Sequence, residues 1–169
     1  MRLTQPPESI TKSPTGLCGR IAVLFATGFG CGYARKAPGT VGSVPGLILG
    51  AAMVYGVDDV WHRGGLVAAL IVLAIWSIHE TEKIWDTHDD QRIVIDEVAG
   101  QALAVAFLPA QALGFILGFG LFRLFDIWKP GPIGWADANL PGVWGTLTDD
   151  LMAGVAAGLC TWGLVTYVF

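Results

Sequence analysis

Four long runs without a charged residue, Ala37–Val57, Gly64–Ile78, Val98–Phe122 and Leu151–Phe169, alternate with short connectors that hold nearly all of the chain's carboxylates. At the edges of these runs stand Asp96-Glu97, then Arg123, Asp126 and Lys129, then Asp149-Asp150. A membrane helix needs about 20 predominantly apolar residues. An ionised side chain deep in hydrocarbon costs about 3 kcal/mol on insertion scales, so acids beside such helices are functional candidates. The pattern constrains the chain to an all-α, multi-pass membrane fold with an acidic site at the lipid–water boundary. Charged residues make up 14% of the chain, against about 25% in ordinary soluble domains, which favours the same class.

Individual runs set the expected helices. Ala37–Val57 is long enough to span, but Pro38-Gly39-Thr40-Val41-Gly42-Ser43 reads as a turn, so its helix is expected from about Ser43. Gly64–Ile78 must borrow His79 and flanking residues, and Leu151–Phe169 spans unaided. Pro109 removes a helical hydrogen bond and clashes with the preceding turn. Val98–Phe122 is therefore expected as two short antiparallel helices, roughly 93–108 and 111–125, with a re-entrant hairpin as the alternative. Val98–Leu108 rises only about 16 Å, which carries Asp96 and Glu97 to the hydrocarbon edge or slightly inside it. Leu17–Gly32 is apolar and glycine-rich, and is expected as a helix lying in or dipping into the cytoplasmic leaflet. The total is four to five membrane-embedded helices in a single domain, 17–169, behind a flexible leader, 1–16.

With 58–63 outside and 1–36, 79–97 and 123–150 inside, nine of the ten Lys and Arg fall inside and only Arg63 outside. That bias follows the positive-inside rule and puts the acidic connectors on the cytoplasmic face. Seven Trp and three Tyr suit an interfacial belt. Net charge is −4 with no basic tract, which argues against nucleic acid as a partner. Cys18, Cys31 and Cys160 have no paired spacing and are expected as free thiols.

Asp149-Asp150 follows Thr148, so helix capping and dipole compensation explain that pair as readily as chemistry does. Asp96-Glu97 permits the same explanation. Two such pairs together with Asp126 on one membrane face point instead to a divalent cation, because facing carboxylates without a metal repel one another. Mg²⁺ takes oxygen ligands from one or two carboxylates plus substrate phosphate. Arg123, Asp126 and Lys129 recur every third residue and share a broad helical face; the two cations are suited to phosphate oxygens. Thr40, Gly42 and Ser43 lie at a helix start whose backbone amides form a natural anion site, although capping alone accounts for them. The turn starting at Pro38 has an echo at Pro141-Gly142-Val143-Trp144-Gly145-Thr146, read as a shared loop-to-helix turn. A P-loop, a GxSxG elbow, a DxDx[TV] motif and a cysteine-phosphatase loop are all missing.

Taken in order, Ala37-Pro-Gly-Thr-Val-Gly-Ser43, Ile95-Asp-Glu-Val-Ala-Gly100, Phe122-Arg-Leu-Phe-Asp-Ile-Trp-Lys-Pro-Gly-Pro-Ile133 and Asp149-Asp-Leu-Met-Ala-Gly154 closely resemble the bacterial phosphatidylglycerophosphatase A family, from about Gly28 to Gly158. The resemblance implies a Mg²⁺-dependent, all-helical phosphatase of the inner (cytoplasmic) membrane. Its substrate would be the lipid phosphatidylglycerophosphate, converted to phosphatidylglycerol during phospholipid biosynthesis. The family pattern maps onto Thr40, Gly42, Ser43, Asp96, Glu97, Arg123, Asp126, Lys129, Pro130, Asp149 and Asp150. Chemistry then assigns Asp96, Glu97, Asp126, Asp149 and Asp150 to catalysis, with Glu97, Asp149, Asp150 and Asp96 as metal ligands. Thr40, Gly42, Ser43, Arg123 and Lys129 are assigned to substrate binding. The rival reading, a membrane cation carrier using the same carboxylates, expects acids along the middle of the apolar runs, where there are none.

Overall fold

The computed structural model describes residues 16–88 and 90–168. The expected leader therefore lies outside the described residues except for Gly16. Seven α-helices follow in order: α1 (Leu17–Ala26), α2 (Pro38–Gly56), α3 (Val60–Trp85), α4 (Ile95–Ala106), α5 (Ala112–Trp128), α6 (Pro132–Asn139) and α7 (Val143–Tyr167). A 3₁₀ turn at Cys31–Tyr33 separates α1 from α2, and no strand occurs among the described residues. Among the described residues, two helices, α2 and α3, are long and apolar enough to cross a membrane.

Several boundaries differ from the sequence expectation, each for a local reason. Helix α2 starts at Pro38 rather than Ser43. Ala37 adopts a left-handed conformation (φ 47°), and Pro38 occupies the first helical turn, where its missing N–H costs nothing. Helix α3 runs seven residues past Ile78. Asp59 caps its start, accepting from the Trp61 and His62 amides at 2.6 and 3.0 Å. At about 39 Å, α3 is longer than the roughly 30 Å of a bilayer's hydrocarbon, and Glu80, Glu82 and Lys83 lie near its C-terminal end. Helix α7 begins at Val143, after Gly142 turns the chain at φ 60°, so Asp149 and Asp150 lie in its second turn and Thr148 is not its cap. The capping explanation for that pair is thereby removed. Pro109 divides α4 from α5 as the sequence suggested, and α1 ends at Ala26 rather than continuing to Gly32.

Helix α4 is the axle of the fold, with ten of its twelve residues buried. Small residues let its neighbours approach closely, as in membrane helix pairs. Facing α2, a Cβ at Gly42 would sit 2.6 Å from Val94 Cβ, and one at Gly46 would sit 2.9 Å from Gln101 Cβ. Facing α7, a Cβ at Gly100 would come 2.6 Å from the Asp150 carbonyl, and Gly154 in turn abuts the Gly100 backbone. These pairings make α2, α4 and α7 run parallel. Helix α5 runs antiparallel to them, with Gly118 beside Val105 and Phe122 beside Gly100. Three helix N-termini and the C-terminal end of α5 therefore meet at one end of the bundle. At the opposite end Arg63 donates to the Val57, Val54 and Ala106 carbonyls at 2.6, 3.1 and 3.4 Å, satisfying C-terminal acceptors of α2 and α4.

If the α4–α7 seam governs the fold, Gly154→Leu should lower the thermal midpoint of the solubilised protein. Overpacking a tight seam costs about 1–3 kcal/mol or more, and in a chain of this size each kcal/mol moves the midpoint by roughly 2–4 °C. Gly120→Leu, where an added side chain meets open space, should leave the midpoint unchanged. Equal midpoints for both variants would show that the seam yields.

Candidate active site

The meeting point of the helix ends encloses a cavity of about 450 Å³. Helix α2 contributes Pro38 and Gly39, α4 contributes Asp96 and Glu97, and α5 contributes Arg123, Asp126 and Ile127. Helix α7 contributes Gly145, Thr146, Asp149 and Asp150. Oxygens of Asp96, Glu97 and Asp150 lie within 4.8 Å of one another, and so do those of Asp126, Asp149 and Asp150. Asp150 belongs to both groups. Asp96, Asp149 and Asp150 are each 4–5% exposed, so these are interior carboxylates and not a solvated acidic face. Asp96 Oδ1 accepts from the Glu97 amide at 3.0 Å, while Glu97 Oε2 and Asp149 Oδ1 are buried with no partner.

Two cations answer part of this charge. Arg123 Nη1 forms a short ion pair with Asp126 Oδ2 and donates to Ser43 Oγ at 3.4 Å. Ser43 Oγ itself donates to the Gly39 carbonyl at 2.8 Å. Lys129 terminates α5 in a left-handed conformation (φ 47°), which turns its side chain back between Asp149 (2.7 Å) and Asp137 (2.5 Å). Burial opposes the charge on Lys129, but the hydrogen bonds it donates to Asp137 and Asp149 outweigh it and hold the ammonium well above the usual lysine range. At the rim, Asp90 is bound by Arg92 at 2.7 Å, and that interaction lowers the Asp90 pKa and raises that of Arg92. The Arg92 guanidinium also lies 4.1 Å from the centre of a Trp85 ring, tying the connector to the end of α3.

The five acids singled out in the sequence, with Arg123 and Lys129, line this one cavity. Thr40, Gly42 and Ser43 do not. Gly42 packs on Val94, Thr40 is half-buried on α2, and Ser43 sits behind Arg123. The cavity wall on α2 is the helix start itself, Ala37 to Gly39. A Cβ at Gly39 would reach 3.2 Å from Glu97 Cδ and 3.3 Å from Arg123 Nη2, so glycine keeps the space between acid and guanidinium open. Asp137 carries no signal in the sequence, and Thr146 appears there only in the turn that echoes Pro38–Ser43. Asp137 enters because Pro132 opens α6 within a segment that reads as a connector, and α6 folds back over α7. His88 also lines the cavity, 2.7 Å from Glu82, whereas Asp89 lies outside the described residues.

This donor set fits a divalent cation. It is all oxygen, drawn from three helices, buried, and short of partners at Glu97 and Asp149. Three buried and two half-buried carboxylates against two cations also leave an excess of negative charge that a dication would offset. Beside them lie the α2 N-terminus and Arg123, the features that bind phosphate. Acidic ligands next to an anion cradle are the chemistry of a phosphoryl-transfer site.

Comparison with known proteins carries the same implication. The sequence profile described as Phosphatidylglycerophosphatase A matches residues 24–165. A protein of Escherichia coli named Phosphatidylglycerophosphatase A is 37% identical over 139 residues, covering 80% of this chain and 79% of the relative. One of the same name from Haemophilus influenzae is 36% identical over 137 residues, covering 79% and 82%. A Bacteroides thetaiotaomicron protein named Putative phosphatidylinositol-3-phosphatase is 33% identical over 141 residues, covering 80% and 87%. No solved structure matches the chain. The matched span contains every residue that lines the cavity, and the chain belongs to the phosphatidylglycerophosphatase A family.

Proposed function

We propose that this protein is a Mg²⁺-dependent lipid phosphatase that hydrolyses phosphatidylglycerophosphate to phosphatidylglycerol and inorganic phosphate. The observation that carries the reading is the convergence of Asp96, Glu97, Asp126, Asp149 and Asp150 from three helices on one cavity shared with Arg123 and Lys129. Glu97, Asp149 and Asp150, with Asp96 and Asp126 beside them, are the residues that would hold the cation. Bound there, it supplies Lewis-acid neutralisation of a phosphomonoester carrying up to two negative charges.

The chain's own residues supply the rest. Arg123 and the amides at the α2 start face the cavity beside Glu97 and offer donors to phosphate oxygens. Lys129 contributes positive charge, with Asp137 as the exposed partner that an arriving phosphate displaces. A carboxylate of the cluster that is not holding the cation takes the proton of the attacking water. The new bond forms between water oxygen and phosphorus, the bond from phosphorus to the glycerol oxygen breaks, and a proton finishes on that glycerol hydroxyl.

The membrane reading is part of the proposal. Helices α2, α3, α5 and α7 cross the bilayer of the inner (cytoplasmic) membrane, with α4 embedded between them and the cavity open to the cytoplasm. Helix α4 is about 18 Å long and its far end is tied by Arg63 to the end of α2, so its acids stand below the level at which α2 begins. Exposed Val72, Ile116 and Leu159 give the outer surface the apolar character that lipid requires.

Three outcomes are expected. Purified protein should release phosphate from phosphatidylglycerophosphate with Mg²⁺ and not with excess EDTA, and more slowly from phosphatidylinositol 3-phosphate; full turnover after chelation would remove the metal from the reading. Asp149→Asn, Asp150→Asn and Glu97→Gln should each insert normally yet lose at least about a hundredfold in kcat/KM, or roughly 2.7 kcal/mol. None of the three is an N-cap, so normal activity in these variants would refute the site. In a cysteine-free background, a cysteine replacing Asp58 should label from outside intact cells and one replacing Ala138 only after permeabilisation; the opposite pattern would invert the topology.

A further inference from the structure

Gln101 is fully buried at the centre of the bundle, and neither atom of its amide has a hydrogen-bond partner. Leaving such atoms unsatisfied costs about 1–3 kcal/mol each, far more than an apolar side chain of the same size would. A buried glutamine therefore needs a reason.

Its surroundings supply one. Gln101 lies one turn beyond Glu97 on α4, on the same face of the helix. On the facing helix the order is the same. Gly39 backs Glu97 and Arg123, Ser43 one turn later holds Arg123, and Gly46 leaves the space occupied by Gln101. Gln101 is thus in the layer directly beneath Glu97 and Arg123, which face each other across Gly39. Each of the two has a buried atom without a partner, the acceptor Glu97 Oε2 and the donor Arg123 Nε. An amide carries one donor group and one acceptor, the complement of that pair.

We propose that Gln101 is a positioning residue for the divalent-cation site: through its amide and one buried water, it fixes the Glu97 carboxylate and the Arg123 guanidinium in the orientation that binds the ion and the phosphate. Partners of metal-binding carboxylates typically govern about 10–100-fold in metal affinity or activity. The inference rests on the cation site proposed above.

The test is a Mg²⁺ titration of full-length protein in detergent, read both by the thermal midpoint and by phosphate release. Gln101→Met keeps the side-chain length and removes both amide atoms. Its metal-free midpoint should equal or exceed that of the native chain, because no hydrogen bond within the protein is lost. Its half-saturating Mg²⁺ should rise at least tenfold in both readouts. Thr161→Val, which removes another buried unpartnered polar atom away from the cavity, should leave half-saturation unchanged. If Gln101→Met fails to insert, Gln101→Asn, which withdraws the amide by one methylene, decides by the same measure. A native chain without a Mg²⁺ response would overturn the cation site and this inference with it. A native response with half-saturation in the Gln101 variant within twofold of it would overturn this inference alone.

Discussion

The close approach of α4 to its neighbours is the constraint on which everything else depends. A twelve-residue helix has little length over which to bury surface, yet α4 touches α2, α3, α5 and α7. It does so because Gly46 and Gly154 on its partners, and Gly100 on α4 itself, allow backbones to meet with no side chain between them. The Gly100–Gly154 contact also fixes the site. Gly100 lies one turn from Asp96 and Glu97, and Gly154 one turn from Asp150. Helices that meet so tightly at these glycines bring carboxylates fifty residues apart in sequence within 4.8 Å of each other.

The cost of that arrangement is electrostatic. Interior carboxylates at such distances repel one another and lose hydration, and the bundle answers only in part. Arg123 is committed to Asp126 and Ser43, and Lys129 to Asp149 and Asp137. The positive ends of α2, α4 and α7 add a further stabilising field at the cavity. Oxygens at Glu97 and Asp149 remain without partners, which is the condition of a site built to bind something positive. A phosphate then has a reason to enter an acidic cavity that would otherwise reject it.

Much of this was legible before the fold. The apolar runs located the long helices, Pro109 divided α4 from α5, and the five acids, Arg123 and Lys129 were identifiable from where they interrupt the hydropathy. Helix ends were not legible. Ala37 and Lys129 adopt positive φ, for which neither residue type gives a signal, and without them α2 appears to begin at Ser43 and Lys129 appears to face the same way as Arg123. The Asp149-Asp150 pair looked like a helix start because the apolar run begins at Leu151. The preceding two turns are helical through burial of Val143 and Leu147 against the core, which residue type alone does not announce. Asp137 escaped notice because its role depends on α6 folding back, a tertiary event.

The echo between Pro38–Ser43 and Pro141–Thr146 acquires a meaning that a shared turn alone does not give it. Both segments enter parallel helices on either side of α4, and both line the cavity, through Pro38 and Gly39 on one side and Gly145 and Thr146 on the other. Each presents a helix start to the site. Helix α4 presents a third, bearing its acids in the first turn. A parallel triplet can do this only if each helix returns through an antiparallel partner or connector, which is the work of α3, α5 and α6. The outer helices thus set direction, the glycine seams set depth, and the acids occupy the one place where three N-terminal fields and two cations make several buried negative charges tolerable.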